Sequence, residues 1–332
     1  MNWELHLNAN RYLDDRPPTH QPSRSPFERD QDRITYSTAF RRLAGKTQVF
    51  PLPESDVTHH RMTHTLEVAS AGKSLGCLVA HGAMGGVGRM LAQDVGAAVA
   101  AACLAHDLGN PPFGHSGEAA ISEFFREGGL GAPLLNELDD VQRTDLTKFE
   151  GNALGFRLLT RTKPLRSLVP GGLRLTYATL GAFLKYPRLS HTPTPRAGGA
   201  PPAGSDTPAS AKKFCAFADD REALVSVADK LQLVPSTFEN AWRRSPLAFL
   251  VEAADDVCNR VIDLEDALRL RLVSFATADE LLRAIIAQGQ GTPQGDDQRL
   301  DEHEKIGYLR ALAIGALIEQ AAAVFKRSQG YR

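Results

Sequence analysis

Two adjacent residues of types that bind divalent metals, His106 and Asp107, follow the apolar stretch 95–105. Alanine and valine dominate that stretch, so its pattern predicts a buried helix. A polar side chain that is buried without a partner costs free energy, and a divalent cation would satisfy both residues at once. This segment is therefore a candidate metal centre.

A turn rich in glycine and proline comes next in the chain. His115 and Glu118 lie just beyond it and bring two more polar groups close to the candidate ligands. Glu118 also has a structural interpretation, because an acid in the first turn of a helix interacts favourably with the helix dipole. The whole segment is a candidate catalytic centre.

Further candidate ligands lie far from this segment in the sequence. His64 begins a predicted amphipathic helix, and Asp255 lies in a helix that is apolar enough to be buried. Asp255, Asn259 and Asp263 recur every four residues and therefore share one stripe of that helix. Taken alone, each of these residues is as typical of a hydrogen-bonded core position or of a solvated helix face as of a metal site. Only the joint pattern favours a site.

The elements that must position these residues are predicted to be helices. Apolar residues recur at helical spacing in the segments 65–78, 93–105, 119–125, 224–231, 247–270 and 306–325. Alternating strand patterns are scarce, and no alternation of strands and helices indicates a parallel sheet. We therefore predict an all-α bundle. His59 and His60 precede the first segment and are expected to be exposed loop residues rather than ligands.

Two polar stretches interrupt the predicted helices. Proline, glycine, serine and threonine dominate residues 190–210, and we predict a disordered insertion at about 189–212. Residues 288–298 are predicted to form a loop. We divide the chain into an N-terminal extension (1–26) and a single domain (27–332). The insertion interrupts this domain without ending it, because residues beyond it supply part of the candidate site.

The composition argues against several classes of protein. The net charge of the 332 residues is −1, which gives no support to strong nucleic-acid binding. The N-terminus lacks the apolar core of a signal peptide, so we expect a soluble, cytoplasmic protein that does not enter a membrane. The four cysteines form no C-x-x-C pair and are expected to be free thiols, three of them among apolar neighbours. They are Cys77, Cys103, Cys215 and Cys258.

An ordered series of motifs spans most of residues 27–325. The motifs lie at 33–43, 46–50, 61–68, 106–115, 149–152, 175–183, 185–187, 252–256 and 263–267. This series resembles the HD-domain metal phosphohydrolases and, within them, the deoxyguanosinetriphosphate triphosphohydrolase-like proteins. Because of its length, the resemblance is far more specific than an isolated His-Asp pair, and it implies an HD-domain helical bundle.

The resemblance also implies roles for individual residues. The implied metal ligands are His64, His106, Asp107 and Asp255, and His115 and Glu118 match the catalytic pair. Implied contacts to the substrate are made by Gln48 near the nucleoside, Arg61 at phosphate and Asp263 at the deoxyribose 3′-hydroxyl. Further implied pocket residues are Asn110, Lys185, Tyr186 and Asn259.

Three features depart from the family pattern. Asn259 stands where these enzymes typically carry a tyrosine, and Leu154 replaces a frequent glutamine. The chain also ends sooner than many relatives, at Arg332. The tyrosine replacement bears on contacts to the sugar or the phosphates.

The expected reaction converts a deoxynucleoside triphosphate (dNTP), with dGTP or a broad range of dNTPs as substrate, into a deoxynucleoside and tripolyphosphate. Water attacks the α-phosphorus with the help of the metal. His115, oriented by Glu118, protonates the departing 5′-oxygen, a role that suits the near-neutral pKa of histidine. Mn²⁺ or Mg²⁺ is the expected ion, with Fe, Co and Zn as alternatives. The resemblance also implies a homo-oligomer and a nucleotide effector.

Two alternatives stay open at this point. One is an HD-family nucleotidase or phosphodiesterase of other specificity, against which the long flanking motifs argue. The other is a non-catalytic nucleotide-binding regulator, against which the intact set of candidate ligands and catalytic residues argues. The sequence does not indicate which dNTP is preferred.

Overall fold

The structure, a computed structural model, describes residues 3–14, 16–17, 23–49, 59–83, 89–161, 171–191, 213–289 and 301–329. Within these ranges the fold is all-α, as predicted, and β-structure is limited to isolated bridges. The α-helices are α1 (Trp3–His6), α2 (Pro26–Thr35), α3 (Thr38–Arg41), α4 (Arg61–Ala83), α5 (Arg89–Ala105), α6 (Gly114–Phe124), α7 (Asp140–Thr147), α8 (Gly151–Thr160), α9 (Tyr177–Phe183), α10 (Arg221–Lys230), α11 (Pro246–Arg269), α12 (Phe275–Ala287) and α13 (Glu302–Gln329). Short 3₁₀ helices lie at Arg42–Gly45, Ala132–Glu137 and Ala218–Asp220.

Each predicted helical segment corresponds to an observed helix, but the observed helices begin earlier than predicted. Helix α4 begins at Arg61 rather than at residue 65, and α13 begins at Glu302 rather than at residue 306. The first turns of these helices are polar, so the apolar spacing does not detect them. In α4 this early turn carries two of the predicted site residues, Arg61 and His64.

Helices α4 and α5 form the most extensive helix–helix contact and build the centre of the core. Glycines allow their backbones to approach closely, because a Cβ atom on Gly76 would lie 2.9 Å from the Cα of Gly96. Helix α11 packs against α4, α5 and α9. One hydrophobic core therefore holds together α4, which carries His64, α11, which carries Asp255, and α5, whose end is followed directly by His106 and Asp107. A smaller cluster joins the end of α11 to α12 and α13.

The N-terminal residues pack onto the rest of the fold. The amide of Tyr12 donates to the carbonyl of Leu175 at 2.9 Å, and Arg11 forms an ion pair of 2.6 Å with the buried Asp30. The division into an extension (1–26) and one domain (27–332) stays a prediction.

The predicted insertion falls mostly on residues 192–212, and most of the predicted loop at 288–298 falls on residues 290–298. Both ranges lie outside the described residues.

Helix α13 contains a segment, Glu304–Ser328, that is long and apolar enough to cross a membrane by length and composition alone. Core helices of soluble proteins pass the same test. Within the described fold, α13 packs against α4, α11 and α12, and its Ile318 and Ala322 belong to the main core. The predicted absence of a membrane segment therefore stays a prediction.

The four cysteines are free, as predicted. Three of them, Cys103, Cys215 and Cys258, are buried in the described fold, and Cys77 is half-buried. Burial raises the pKa of the Cys215 and Cys258 thiols to about 12. These two thiols are therefore protonated at neutral pH.

Candidate active site and metal centre

Four predicted ligands meet where α4, α5 and α11 converge. Ligand atoms of His64, His106 and Asp107 all lie within 4.8 Å of one another. Asp255 joins them from α11, since its Oδ1 lies 3.2 Å from Nε2 of His64 and 3.5 Å from Nε2 of His106. The cluster therefore brings together residues as far apart as 64 and 255 in the sequence.

The donor chemistry of this cluster fits a divalent cation. Nδ1 of His106 lies 2.7 Å from the carbonyl oxygen of Cys103, which can only accept, so Nδ1 carries the proton. When the ring is neutral, as a metal ligand must be, the lone pair of Nε2 faces Oδ1 of Asp107 and Oδ1 of Asp255, both at 3.5 Å. Three electron-rich atoms at such distances repel one another unless a positive charge lies between them. Mixed imidazole and carboxylate ligands suit several divalent ions.

Two donors outside the cluster hold Asp107. The Arg61 guanidinium donates to its Oδ2, and the Asn110 side-chain amide donates to its Oδ1. Burial raises the pKa of Asp107, but the positive charges of His106 and Arg61 outweigh burial and hold that pKa below its usual range. Asp107 is therefore ionised and oriented, as a metal ligand must be.

The candidate catalytic pair lies at the start of α6. Nδ1 of His115 is 2.7 Å from Oε2 of Glu118, and Oε1 of Glu118 accepts from the backbone amide of Gly151 at 2.8 Å. Glu118 is only 8% exposed, whereas the His115 side chain is 84% exposed. A buried, anchored carboxylate thus fixes one nitrogen of a largely exposed imidazole.

Close backbone contact brings this pair beside the candidate metal ligands. A Cβ atom on Gly109 would stand 2.0 Å from the carbonyl oxygen of Gly151, so only glycine permits the turn after Asp107 to lie against the first turn of α8. The same approach places the Gly151 amide where Glu118 accepts from it. The Gly/Pro turn noted in the sequence therefore connects the two halves of the site.

A cavity of about 330 Å³ opens over the cluster, a volume typical of small-ligand sites. Most of the predicted site residues line it, namely Gln48, Arg61, His64, His106, Asp107, Asn110, His115, Lys185, Tyr186, Asp255 and Asn259. Glu118 lies behind His115 rather than on the wall. Asp263 lies half-buried farther along α11 and outside the lining, where burial raises the pKa of its carboxyl.

Three polar residues that the sequence reasoning did not select also line the cavity: Asn152, Lys213 and Glu252. Asn152 and Glu252 lie inside motifs that carry the family resemblance, which was the available signal. Lys213 has no recognisable local pattern. Its Nζ lies 3.3 Å from Oε1 of Glu150, to which Asn152 also donates.

Glu252 forms ion pairs with two basic side chains on one side of the cavity. Its Oε1 lies 3.4 Å from Nζ of Lys185, and its Oε2 accepts from Arg244. Burial alone would lower the pKa of Lys185, but Tyr186 and Glu252 outweigh it and raise that pKa above its usual value. Lys185 therefore stays charged inside the cavity.

His59 lies in a loop before α4, as predicted, but the prediction that it is exposed is wrong. Its side chain is only 9% exposed and lies between two acids, with Nδ1 at 2.8 Å from Oδ1 of Asp266 and Nε2 at 3.4 Å from Oε1 of Glu67. His60 is half-buried, and its backbone amide and carbonyl bond Thr63 in the first turn of α4. These partners are contributed by α4 and α11, so local polarity did not indicate the burial.

Comparison with curated proteins matches nearly the whole chain. A deoxyguanosinetriphosphate triphosphohydrolase-like protein of Pseudomonas aeruginosa is 39% identical over 341 residues, covering 99% of this chain and 71% of the relative. One of the same name from Synechocystis sp. is 40% identical over 338 residues, covering 98% and 72%.

The chain belongs to the deoxyguanosinetriphosphate triphosphohydrolase-like family. This confirms the family and the HD-domain helical bundle predicted from the motifs. A deoxyguanosinetriphosphate triphosphohydrolase of Klebsiella pneumoniae is 35% identical over 286 residues, covering 75% of this chain and 51% of that protein. No family model matches the chain.

Proposed function

We propose that this protein is a metal-dependent dNTP triphosphohydrolase that converts a dNTP and water into a deoxynucleoside and tripolyphosphate. The observation that carries the proposal is the cavity in which the four-residue cluster, the anchored His115 and three basic side chains face the same space. The names of the relatives point to the same reaction class.

The charges of the cavity suit a triphosphate. Arg61, Lys185 and Lys213 line it and supply three cations, and charge-assisted hydrogen bonds to phosphate oxygens are among the strongest in proteins. Buried acids hold these side chains in place, since Arg61 donates to Asp107 and Lys213 lies beside Glu150.

The residues that would hold the metal are His64, His106, Asp107 and Asp255. When bound, a divalent ion supplies Lewis acidity at the phosphate oxygens and activates water. Mn²⁺ or Mg²⁺ is the ion we propose, with Fe, Co and Zn as alternatives that the same ligand types accept.

His115 supplies the proton in this proposal. Water attacks the α-phosphorus, a new P–O bond forms, and the bond to the 5′-oxygen breaks with its electron pair on that oxygen. His115 delivers a proton from Nε2 to the departing oxygen. Glu118, 2.7 Å from Nδ1, orients the ring for this transfer.

The nucleoside end of the substrate is assigned by position. Gln48 and Asn259 line the part of the cavity beside α11. Tyr186 and Asn110 also line the cavity. We propose Gln48 as a contact to the nucleoside and Asp263, farther along α11, as the contact to the deoxyribose 3′-hydroxyl. Asn110, Tyr186 and Asn259 are proposed as further pocket residues. The proposed substrate is dGTP or a broad range of dNTPs. A homo-oligomer, a nucleotide effector and a cytoplasmic location stay predictions from the resemblance.

A product assay tests the function directly. Purified protein is incubated with each dNTP and with Mn²⁺ or Mg²⁺, and the products are separated by ion-exchange chromatography. Tripolyphosphate together with a deoxynucleoside supports the proposal. Orthophosphate from a monophosphate would instead indicate a nucleotidase, and binding without turnover would indicate a regulator.

A further inference from the structure

Three side chains form a hydrogen-bonded chain that runs from the cavity wall to the metal cluster. Nε2 of Gln48 donates to Oδ1 of Asn259 at 3.1 Å, and Nδ2 of Asn259 donates to Oδ1 of Asp255 at 2.8 Å. Asn259 lies one turn after Asp255 on the same face of α11. Gln48 reaches the chain from the segment that precedes α4.

The carboxylate fixes the direction of every bond in this chain. An ionised Asp255 can only accept, so Asn259 must turn its NH₂ group towards it and its oxygen towards Gln48. Gln48 must then donate, which leaves its own Oε1 as the free end. That oxygen is buried and has no hydrogen-bond partner among the described residues. This series of hydrogen bonds therefore ends in an unsatisfied acceptor, Oε1 of Gln48.

The two candidate carboxylate ligands are supported unequally. Asp107 is held by two donors that are not ligands, Arg61 and Asn110. For Asp255, Asn259 is the one such donor in the described part of the chain, because its other close contacts are the candidate ligands His64 and His106. Removing Asn259 would leave the orientation of the Asp255 carboxylate unsupported by anything outside the cluster.

We propose that Asn259 is a positioning residue that holds Oδ1 of Asp255 towards the two histidines and sets the orientation of the Gln48 side-chain amide. The inference rests on the proposed function for its ligands, a divalent ion and a nucleotide. It assigns to Asn259 a role in metal binding in addition to lining the nucleotide pocket. Second-sphere hydrogen bonds of this kind orient ligands before the metal arrives.

Metal affinity of the nucleotide-free protein tests the role. Asn259→Leu keeps a similar volume and removes both hydrogen bonds, and we expect Mn²⁺ binding by calorimetry to weaken about 10- to 100-fold. The melting temperature of the chelator-treated protein should stay unchanged, which separates positioning from a structural role. Asn152→Leu is the matched control, because it removes an amide that lines the same cavity but donates to Glu150. It should leave Mn²⁺ affinity as in the wild type.

A second variant covers the case in which Asn259→Leu fails to fold. Asn259→Asp keeps the shape but places an acceptor against Asp255, and it should weaken Mn²⁺ binding as well. Wild-type Mn²⁺ affinity in either folded variant overturns the inference. The Mn²⁺ measurements contain no nucleotide and do not depend on turnover. A wild-type protein that binds Mn²⁺ but releases no tripolyphosphate from a dNTP would therefore overturn the proposed function and leave this inference standing.

The link to Gln48 has its own test. Gln48→Leu should raise the KM for a dNTP while Mn²⁺ affinity stays that of the wild type, since Gln48 does not touch Asp255. In the double variant with Asn259→Leu, the effects on KM should be less than additive, because both substitutions break the same chain. Full additivity would overturn the proposed link between Asn259 and Gln48.

Discussion

The guanidinium of Arg61 occupies the space that a side chain at Gly114 would need. A Cβ atom on Gly114 would stand 2.5 Å from Nη2 of Arg61, and the φ angle of +54° at Gly114 is one that other residues rarely adopt. The same guanidinium donates to Asp107. The glycine that begins α6 therefore leaves the space in which an arginine from α4 supports a candidate metal ligand on the turn after α5.

The first prediction concerns this space. Gly114→Ala should displace Arg61 from Asp107 and lower kcat/KM for dNTP hydrolysis about 10- to 100-fold, as loss of support for a metal ligand does. Gly128→Ala is the control, because Gly128 has a φ angle of +83° but no atom within 4 Å of an added Cβ. It should cost about 1 kcal/mol of stability from the backbone alone and leave the kinetics intact. Equal kinetic losses in both variants would contradict the role of the space.

The second prediction concerns the anchored carboxylate of Glu118. Glu118→Ala should lower kcat about 100-fold, because His115 loses the group that orients its ring, while Mn²⁺ affinity stays unchanged. Glu123→Ala is the control, because Glu123 is an exposed acid on the same helix and pairs with Arg126. This variant should keep the kcat of the wild type. A large change in Mn²⁺ affinity for Glu118→Ala would show that the pair supports the metal instead.

The third prediction concerns metal and stability. Saturating Mn²⁺ should raise the melting temperature of the wild-type protein by several degrees, because a ligand at 100 times its Kd adds about 2.7 kcal/mol to the stability of the folded state. Asp255→Asn should abolish the increase. Asp256→Asn removes the same charge from the exposed neighbouring position and should retain it. An increase of equal size in all three proteins would exclude Asp255 as a ligand.

The fourth prediction concerns the buried His59. Its hydrogen bonds with Asp266 and Glu67 outweigh burial and raise its pKa from 6.5 to about 9. The folded protein therefore binds this proton more tightly than the unfolded chain. The resulting stabilisation is complete below about pH 6.5 and is lost as the pH rises through about 9.

Urea unfolding at several pH values measures this effect. Between pH 7 and pH 10 the free energy of unfolding should fall by an amount on the order of 2 kcal/mol, the worth of a charge-assisted hydrogen bond. His59→Asn should flatten that part of the profile relative to the wild type. His81→Asn is a useful control because His81 is an exposed histidine at the other end of α4. An unchanged slope in His59→Asn would contradict the assignment.

Much of the site was predictable because its strongest signals are local. His106 and Asp107 follow an apolar helix directly, and the turn after them has the residues that a close backbone approach needs. The helices were predicted for the same reason, since their apolar faces repeat along the sequence. Only the motif series, and not periodicity, connected Asp255 to this segment.

The features that the sequence did not reveal depend on contacts between distant elements. Lys213 is a single charge without a recognisable pattern around it, and its importance comes from facing a cavity built by other elements. His59 was misjudged because its two acidic partners lie on α4 and α11. Asp263 shares a stripe with Asp255 on α11, but it lies beyond the part of that stripe that lines the cavity.

Helix α11 presents Glu252, Asp255 and Asn259 to the same cavity, at spacings of three and four residues. Each residue of an α-helix turns the chain by about 100°, so one inserted or deleted residue between Asp255 and Asn259 would carry Asn259 away from Gln48 while Glu252 stayed beside Lys185. A single substitution on this face alters only the contacts of that one residue. An insertion or deletion turns every later residue of the helix about its axis. We therefore expect natural relatives to differ in residue type along α11 and to carry insertions and deletions only at its ends.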